Sequence, residues 1–342
     1  MNNKKILVTG SAGFIGYHLC KSLLEDGYEV LGVDNINDYY DVKLKFARLN
    51  ELGIKKEEII NSKSLIQNSK SNERFHFSKI DISHRDILAE VFREFEPIKV
   101  VNLAAQAGVR YSIENPYAYM NSNLIGFLNI IELCRHSDVE GLIYASSSSV
   151  YGGNKKNPFS VEDRVDNPIS LYAASKKSNE LIANAYSHLY GLHTTGLRFF
   201  TVYGHWGRPD MAMFIFTNKI LAGEPIPVFN FGKMKRDFTF IDDIISGTRA
   251  AIDANYECQI FNLGNSKSEN LMDMIGMIEY NLGKKAEIDF QPLQQGDAPE
   301  SFADIEKSTA MLGYKPTTNI VDGIPLLIKW YIEYYAVESS TV

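Results

Sequence analysis

Cysteine, long apolar runs and positive charge are all in short supply in this chain of 342 residues, and each shortage excludes a class of protein. The three cysteines, Cys20, Cys134 and Cys258, form no Cys-x-x-Cys pair, and an odd number fits a reducing compartment better than a disulfide framework. No segment approaches the roughly 18 uninterrupted apolar residues of a membrane span, and the N-terminus has no apolar signal region. We expect a cytoplasmic protein that has no membrane partner.

The shortage of positive charge restricts the choice of partners. Lysine and arginine total 35 against 42 aspartate and glutamate residues, which gives a net charge of −7. A general polyanion binder needs the opposite balance, so we expect no nucleic-acid partner, and an anionic small substrate would need a local cluster of arginines. With 45% hydrophobic and 23% charged residues, the composition is that of a soluble globular protein with one large domain or two.

The first motif is a glycine turn between a strand-like run and a helix-like stretch. The β-branched run from Lys4 to Thr9 leads into Gly10-Ser-Ala-Gly13-Phe-Ile-Gly16, and a second strand-like run ends at Asp34, 18 residues past the last glycine. Glycines allow close backbone approach, a helix N-terminus offers N–H groups to a pyrophosphate, and a carboxylate at this distance takes the adenosine ribose hydroxyls while repelling a 2′-phosphate. The unit predicts an NAD site in preference to an NADP site.

Strands and helices alternate over the first 200 residues. Strand-like runs cover 75–80, 98–103, 142–145 and 193–199, and helix-like stretches cover 116–135 and 171–190. This rhythm predicts an α/β fold with a Rossmann-like doubly wound parallel sheet, whose ligand lies at the carboxyl ends of the strands. We expect an NAD-binding domain of residues 1–200, rejoined by 238–265, and a smaller α/β substrate-binding domain of 201–237 and 266–342. The polar stretch at 53–73 is interpreted as a surface excursion that contains no site.

The candidate catalytic pair is Tyr172 and Lys176. Tyr-x-x-x-Lys occurs five times, and this pair lies in a predicted helix that follows a strand-like run ending in four serines. On a helix the two side chains share a face. Only about one tyrosine in a thousand is ionised at pH 7, and a shift of about 3 pKa units requires roughly 4 kcal/mol, which an ammonium and a nicotinamide cation can supply.

We therefore predict that Tyr172 is a base and Lys176 its electrostatic partner. The serine run offers Ser147, Ser148 and Ser149 as groups that hold or relay the same hydroxyl proton. Ser147, 25 residues before Tyr172, is preferred by spacing, and its neighbours stay open. The alternative for the serine run is turn and helix-cap chemistry.

Several motifs taken together resemble one family. They are Thr9-Gly-x-x-Gly-x-x-Gly16, Ser146-Ser-Ser-Ser-Val-Tyr-Gly152, Tyr172-x-x-x-Lys176 and Arg198-Phe-Phe-Thr-Val-Tyr-Gly204. Over nearly its whole length the chain resembles the NAD-dependent nucleotide-sugar 4-epimerases of the extended short-chain dehydrogenase/reductase family. Three further segments resemble the epimerases of this group that act on UDP-glucuronate: Asp34-Asn-Ile-Asn-Asp-Tyr-Tyr-Asp41, Gln106-Ala-Gly-Val-Arg-Tyr-Ser112 and Gly207-Arg-Pro-Asp-Met-Ala212.

The resemblance implies an isomerase of polysaccharide biosynthesis that uses tightly held NAD and works as a homodimer through helices near 116–135 and 171–190. Tyr172 would take the proton of the sugar's 4-hydroxyl while NAD takes the C4 hydride, and return of hydride to the opposite face of the 4-keto sugar would convert UDP-glucuronate to UDP-galacturonate. The implied cofactor contacts are Gly10, Gly13, Phe14, Ile15, Gly16, Asp34, Asn35, Asp81, Ile82, Leu103, Ala104, Ala105, Asn123, Tyr172, Lys176 and Phe199. The implied substrate contacts are Arg110, Thr201, Arg208, Met213, Phe229, Arg236, Gln294 and Asp297, and no metal is implied.

A glucuronate carboxylate raises a specific chemical problem, because the 4-keto intermediate is then a β-keto acid that can lose carbon dioxide. Arginine suits the task of holding that carboxylate, since its planar fork binds bidentately and fixes the carboxylate plane. We predict Arg208 as the clamp, with Thr201, Ser147 and Ser148 as nearby donors and Arg110 as a second candidate. The alternative for Arg208 is an interdomain salt bridge. His205 and Gln295 stand where relatives commonly have proline.

Other functions stay open on the sequence alone. A UDP-glucuronate decarboxylase would share the fold, as would a 4-epimerase of neutral sugars such as UDP-glucose or UDP-N-acetylglucosamine. A catalytically silent NAD-binding regulator is a third possibility. It would not require Tyr172, Lys176 and the serines together, and all of them are present.

Overall fold

The computed structural model describes residues 4–62, 64–294 and 298–337. The strands are β1 Lys5–Thr9, β2 Glu29–Asp34, β3 Gln67–Asn68, β4 Phe75–Lys79, β5 Lys99–Asn102, β6 Gly141–Ser147, β7 Thr194–Phe199, β8 Thr201–Tyr203, β9 Ile226–Val228, β10 Lys235–Arg236, β11 Phe238–Phe240, β12 Cys258–Leu263, β13 Glu269–Asn270, β14 Ile288–Phe290 and β15 Glu300–Ser301. The α-helices are α1 Phe14–Glu25, α2 Val42–Glu51, α3 Lys56–Asn61, α4 Arg85–Phe95, α5 Tyr111–Glu114, α6 Pro116–Tyr119, α7 Gly126–His136, α8 Leu171–Tyr190, α9 Ala212–Ala222, α10 Ile241–Ala254, α11 Leu271–Leu282, α12 Glu306–Leu312 and α13 Ile320–Tyr335.

The main sheet has eight strands in the order β12-β7-β6-β5-β1-β2-β4-β3. All neighbours pair in parallel except β3 and β4, which are antiparallel. The central strands are continuous apolar runs because helices cover both faces of a parallel sheet. In β1, Ile6 and Val8 join one core cluster and Leu7 joins the other, as alternation along a strand requires. The prediction of a Rossmann-like parallel sheet is confirmed.

The strand order reverses at β1, which lies between β5 and β2. At such a point the connections after two neighbouring strands diverge to opposite faces and leave a crevice at the carboxyl ends. The glycine turn after β1 and the loop after β5 therefore face each other across this crevice. Both segments hold predicted cofactor residues, so the sheet topology alone brings them together.

The stretch at 53–73, interpreted as a surface excursion that contains no site, holds α3 and β3, and β3 adds an antiparallel edge strand to the main sheet. One prediction about local structure was wrong. The expected single helix at 116–135 is interrupted by a π-helical segment, Met120–Ile125, between α6 and α7. The wider π turn carries Asn123, whose buried amide bonds the backbone N–H and carbonyl of Gln106 at 2.8 and 3.0 Å. A polar side chain with buried partners accompanies the π turn there. The hydrophobic periodicity of the sequence predicts only a regular helix and cannot reveal it.

Beyond β7 the chain forms small sheets and returns once to the main sheet. β8 pairs with β11, β9 pairs with β14, and β10 lies between β13 and β15. β12 then pairs in parallel with β7. We call the part of the chain after β7, apart from β12, the smaller region. Its Met274 of α11 and Leu327 of α13 belong to the same core cluster as Ile6 of β1, so this region packs directly against the main sheet. Among the described helices, none has the length and apolarity that crossing a membrane requires.

Candidate active site

A cavity of about 690 Å³ opens at the carboxyl ends of the central strands, between the main sheet and the smaller region. It brings together most of the residues that the sequence singled out. Those lining it are Gly10, Gly13, Phe14, Ile15, Gly16, Asp34, Asn35, Asp81, Ile82, Leu103, Ala104, Ala105, Arg110, Ser147, Ser148, Ser149, Tyr172, Lys176, Phe199, Thr201, Arg208, Phe229 and Arg236. The cavity is of the size that small-molecule sites usually have.

The glycine turn forms one wall of the cavity and depends on missing side chains. Gly10 has a φ of +72°, and a Cβ there would lie 2.9 Å from the backbone nitrogen of Ala104. A Cβ on Gly16 would lie 2.0 Å from the carbonyl oxygen of Gly10. Gly13 caps α1 without any side-chain hydrogen bond, and no acidic residue lies in the first turn. The first N–H groups of α1 thus stay available to an anion, which fits the pyrophosphate of a dinucleotide.

Asp34 ends β2 and faces the same wall. Its two carboxylate oxygens accept backbone hydrogen bonds from Ala12 at 3.1 Å and Ile36 at 2.8 Å, so the turn itself sets the carboxylate orientation. Next to it, the Asn35 amide donates to Asp81 at 2.7 Å and thereby joins the ends of β2 and β4. A carboxylate fixed in this way, with lone pairs remaining, fits a ribose diol.

Tyr172 and Lys176 lie one turn apart near the start of α8, which Ser170 caps by accepting a hydrogen bond from the Ala173 N–H at 3.1 Å. The Lys176 ammonium is buried and donates to the Ala145 carbonyl at 2.8 Å, and burial lowers the pKa of Lys176 to about 8. Burial raises the pKa of Tyr172, against a hydrogen bond with Ser147 and the positive charge of Arg208, which both lower it. Arg208 is thus a cation that favours the Tyr172 phenolate.

The four serines at the end of β6 and just beyond it differ in what they contact. Ser146 points into the core and donates to Glu180 at 2.6 Å, where Glu180 also pairs with the buried Arg198. A hydrogen bond with Ser147 lowers the pKa of Tyr172, and the Ser147 hydroxyl donates to that of Ser149 at 3.1 Å. Ser147 is thus the serine that acts on the Tyr172 phenol.

Arg208 projects into the cavity and forms an ion pair within its own loop. Its Nε donates to Asp210 at 3.0 Å, and its Nη2 donates to the other oxygen of the same carboxylate. Asp210 also accepts a hydrogen bond from the Tyr39 hydroxyl at 3.3 Å. The ion-pair partner of Arg208 is therefore a residue of the same loop, two positions away. The Nε–Nη2 edge of the guanidinium is occupied by this carboxylate.

Comparison with known proteins decides which family this site belongs to. The family model described as the NAD dependent epimerase/dehydratase family matches residues 6–264. The chain belongs to this family. It is 48% identical to Protein CapI of Staphylococcus aureus, over 97% of this chain and 99% of that protein.

Other members of the family carry a named activity. UDP-glucuronate 4-epimerase 4 of Arabidopsis thaliana is 42% identical, over 98% of this chain and 77% of that protein. The crystal structure of UDP-glucuronic acid 4-epimerase from Bacillus cereus, in complex with UDP-glucuronic acid and NAD, superimposes with a TM-score of 0.86 at 33% identity. That match covers 97% of this chain and 100% of the other. The predictions of an NAD-dependent nucleotide-sugar epimerase and of NAD as cofactor are confirmed.

Of the predicted site residues that the structure describes, three do not line the cavity, namely Asn123, Met213 and Gln294. Met213 is buried in the core on the first turn of α9, while Met211 and Ala212 line the cavity beside it. Asn123 lies behind the loop after β5 and braces it through Gln106. Gln294 is partly buried without lining the cavity. Asp297, like Gln295, lies outside the described residues.

Sequence analysis missed a set of polar and aromatic residues that line the cavity of this epimerase-family protein: Asn37, Tyr39, Tyr40, Lys45, Tyr111 and Asp210. Three of them, Asn37, Tyr39 and Tyr40, fall between Asp34 and α2, a segment quoted for its resemblance without assigning its side chains, and Lys45 lies on α2 itself. A helical reading of α2 puts Lys45 and Arg48 on one face, and both are buried. In the sequence, the signal was the spacing of these two cations on one face of a short predicted helix. It could have located this side of the cavity.

Arg48 connects the glycine turn with the loop that carries Arg208. It is fully buried, and it donates to the Ala12 carbonyl at 2.9 Å. It also donates to the carbonyls of Trp206 at 2.7 Å and Gly207 at 3.0 Å. One guanidinium thus fixes the backbone on both sides of the cavity.

His205 lies behind the cavity and contacts α1. Its carbonyl accepts a hydrogen bond from Nε2 of His18 at 3.0 Å, and the two rings meet edge to face at 4.6 Å. Within the described part of the chain, these histidines and Asp242 have ligand-type atoms within 4.8 Å of one another. Because Nε2 of His18 already donates to a carbonyl, the contact ties the loop to α1, and we assign it no metal role.

Proposed function

We propose that this protein catalyses the reversible 4-epimerisation of UDP-glucuronate to UDP-galacturonate through a transient 4-keto sugar. One observation carries the proposal: Tyr172 with its Ser147 partner, and Arg208, converge in the same cavity as the glycine turn. A proton acceptor, a carboxylate-binding cation and a dinucleotide site together meet the needs of this reaction. The activity named for the Arabidopsis and Bacillus relatives supports the same substrate.

We call the side of the cavity formed by the glycine turn, Asp34 and the loop after β5 the nucleotide wall, and propose that NAD binds along it. We propose that α1 receives the pyrophosphate at its N-terminus, that Asp34 binds the adenosine ribose, and that Asn35, Asp81 and Ile82 surround the adenine. Leu103, Ala104, Ala105 and Phe199 would border the nicotinamide end, beside Tyr172 and Lys176. When bound, the nicotinamide supplies a reversible hydride acceptor for the sugar's C4.

The proton chemistry belongs to Tyr172. Its phenolate oxygen, assisted by Ser147, accepts the proton of the sugar's 4-hydroxyl and returns it once the ketone has turned over. The cation of Arg208 stabilises the phenolate form, and Lys176, fixed on the Ala145 carbonyl, lies one helix turn away. Ser148 and Ser149 are further donors at the same strand end.

Arg208 is proposed to hold the glucuronate carboxylate, with Thr201 and the serines nearby as donors. For the UDP part of the substrate, Arg110 stacks over the Phe229 ring at 4.5 Å, and we propose that the uracil binds beside this pair. Arg236 is the proposed pyrophosphate contact. Gln294 and Asp297 stay as proposed contacts of the uridine ribose.

We also propose the division into domains that the sequence suggested. Residues 1–200 with 238–265 would form the NAD-binding domain, and 201–237 with 266–342 the nucleotide-sugar domain. The cavity between the main sheet and the smaller region supports this division. Differential scanning calorimetry with each ligand tests it, because UDP alone should stabilise the second unit more than the first.

Product analysis tests the function directly. Purified protein is given UDP-glucuronate, with and without added NAD, and products are followed by NMR. We expect UDP-galacturonate and UDP-glucuronate to reach one equilibrium mixture from either side. UDP-pentose and carbon dioxide as main products would assign a decarboxylase, and comparable turnover of UDP-glucose would assign a neutral-sugar epimerase.

A homodimer is the assembly that the surface favours. Large apolar side chains are exposed on neighbouring helices α6, α7 and α8, among them Tyr117 at 75%, Leu181 at 59% and Leu128 at 44%. Large apolar side chains exposed on neighbouring helices are a feature of interfaces. We propose that a second copy covers these side chains, in the cytoplasm, where a UDP-sugar product would serve polysaccharide biosynthesis. Leu181→Glu should convert the dimer to a monomer in light scattering.

A further inference from the structure

We propose that Asp210, itself held by Tyr39, is a positioning residue that fixes the plane of the Arg208 guanidinium and so protects the 4-keto sugar from losing its carboxylate. The inference rests on the proposed function, and it concerns the choice between two products at one site. Arg208, Asp210 and Tyr39 all line the cavity, so the group borders the space that the sugar would occupy.

The ion pair leaves only part of Arg208 free for substrate. Nε and Nη2 both donate to the Asp210 carboxylate, which makes the two planar groups coplanar along one edge. The remaining N–H groups belong to Nη1 and to the far side of Nη2. A substrate carboxylate must therefore approach end-on, in a direction that Asp210 determines.

Tyr39 restrains Asp210 through the carboxylate oxygen that Nη2 of Arg208 also contacts. Its hydroxyl donates to that carboxylate at 3.3 Å, and its ring packs against Tyr111 with a centroid distance of 4.9 Å. Gly108 lies so close that a Cβ there would be 2.9 Å from the Tyr39 oxygen. Burial and the charge of Asp210 raise the pKa of Tyr39 to about 12, so it stays a donor at working pH. Asp210 is thus oriented by two residues.

The backbone before Arg208 is fixed independently. Arg48 donates to the carbonyls of Trp206 and Gly207, and Asp210 therefore has only the side-chain torsions of Arg208 left to determine. This separation matters for the test, because a change at Asp210 should rotate the guanidinium without releasing the loop.

The geometry matters because of how a β-keto acid loses carbon dioxide. The bond between C5 and the carboxylate breaks when it aligns with the ketone π system; its electron pair moves toward the ketone oxygen, carbon dioxide leaves, and C5 later takes a proton from solvent. Return of hydride to C4 then yields a UDP-pentose. A guanidinium in a fixed plane holds the bond out of that alignment.

Asp210 also has an electrostatic cost, because it partly neutralises the cation that should attract the substrate carboxylate. A purely structural residue would affect turnover and affinity alike. A positioning residue with this charge should, when neutralised, leave KM for UDP-glucuronate unchanged or lower it, while the product ratio shifts toward UDP-pentose. This divergence of KM and product ratio is the signature to measure.

The test uses Asp210→Asn and Tyr39→Phe in the full-length protein, with products quantified by NMR and released carbon dioxide by isotope counting. For Asp210→Asn we expect the ratio of UDP-pentose to UDP-galacturonate to rise about tenfold, the effect of one lost charged hydrogen bond. For Tyr39→Phe we expect a rise of about threefold. Asp38→Asn, which removes an exposed charge next to Tyr39, is the matched control and should leave the ratio unchanged.

An unchanged product ratio in both variants would overturn the proposal, even if the rate falls. If Asp210→Asn does not fold, Tyr39→Phe decides alone, because it removes a single hydroxyl. Failure of the proposed function looks different: the wild-type protein would then make no UDP-galacturonate in the first place.

Discussion

The two walls of the cavity are built in different ways. The nucleotide wall consists of backbone and of side chains that the backbone holds, as in the Gly10–Gly16 turn and in Asp34, whose oxygens accept bonds from Ala12 and Ile36. The sugar wall consists of side chains held by other side chains, such as Tyr39, Asp210 and Arg208. The first wall should therefore govern cofactor binding, and the second should govern rate and product.

The largest effect expected from this comparison is on rate. Tyr172→Phe removes the proton acceptor and keeps the ring, so we expect kcat to fall about 10³-fold, within the usual range for a general base. Bound NAD, measured by absorbance after denaturation, should be unchanged because the nucleotide wall is intact. Loss of NAD from this variant would contradict the assignment of cofactor binding to the nucleotide wall. Wild-type activity would refute the role of Tyr172.

On the nucleotide wall, Gly16→Ala should act through binding and stability. The new Cβ would lie 2.0 Å from the Gly10 carbonyl oxygen and 3.0 Å from the Ser11 Cα, and backbone atoms cannot move aside cheaply. We expect the free energy of unfolding to fall by about 3 kcal/mol in urea titration, with less bound NAD.

Gly276→Ala on α11 is the control, since no atom lies within 4 Å of its added Cβ. It should gain roughly 0.5–1 kcal/mol from helix propensity. Equal losses of stability in the two variants would mean that the close approach at Gly16 has no special weight.

The contrast between the walls also explains what the sequence could predict. The glycine turn, Asp34 and the Tyr172/Lys176 pair are local patterns with a fixed spacing, and the structure places all of them at the cavity. The hydrogen bond from Tyr39 to Asp210 joins positions 171 residues apart, which no local pattern encodes. The inward turn of Met213 and the edge strand β3 likewise depend on tertiary packing.

Lys176 belongs to the catalytic group, and its burial should cost stability. Its pKa falls from 10.5 to about 8 because burial disfavours the ammonium, which corresponds to about 3 kcal/mol. The unfolded chain keeps lysine charged up to about pH 10.5, so the cost is complete below pH 8 and disappears as the pH rises through 10.5. Wild-type stability should therefore gain from this residue between pH 8 and 10.5.

Lys176→Met should stabilise the nucleotide-free protein at pH 7 by about 2 kcal/mol, because losing the bond to the Ala145 carbonyl offsets part of the gain. Urea unfolding of both proteins at pH 7 and pH 10.5 measures it. The difference between variant and wild type should shrink at the higher pH. A difference independent of pH would show that packing, and not the buried charge, is responsible.

The smallest effect returns to the nucleotide wall. In Asp34→Asn the amide NH₂ must face one of two N–H donors, of Ala12 or Ile36, and the charge that repels a 2′-phosphate is lost. We expect the affinity for NAD to fall about fivefold and the affinity for NADP to rise, in calorimetric titrations of nucleotide-free protein. The ratio of the two affinities is an internal control, because a general loosening of the turn would weaken both cofactors together. If both weaken equally, Asp34 serves only to brace the backbone of the turn.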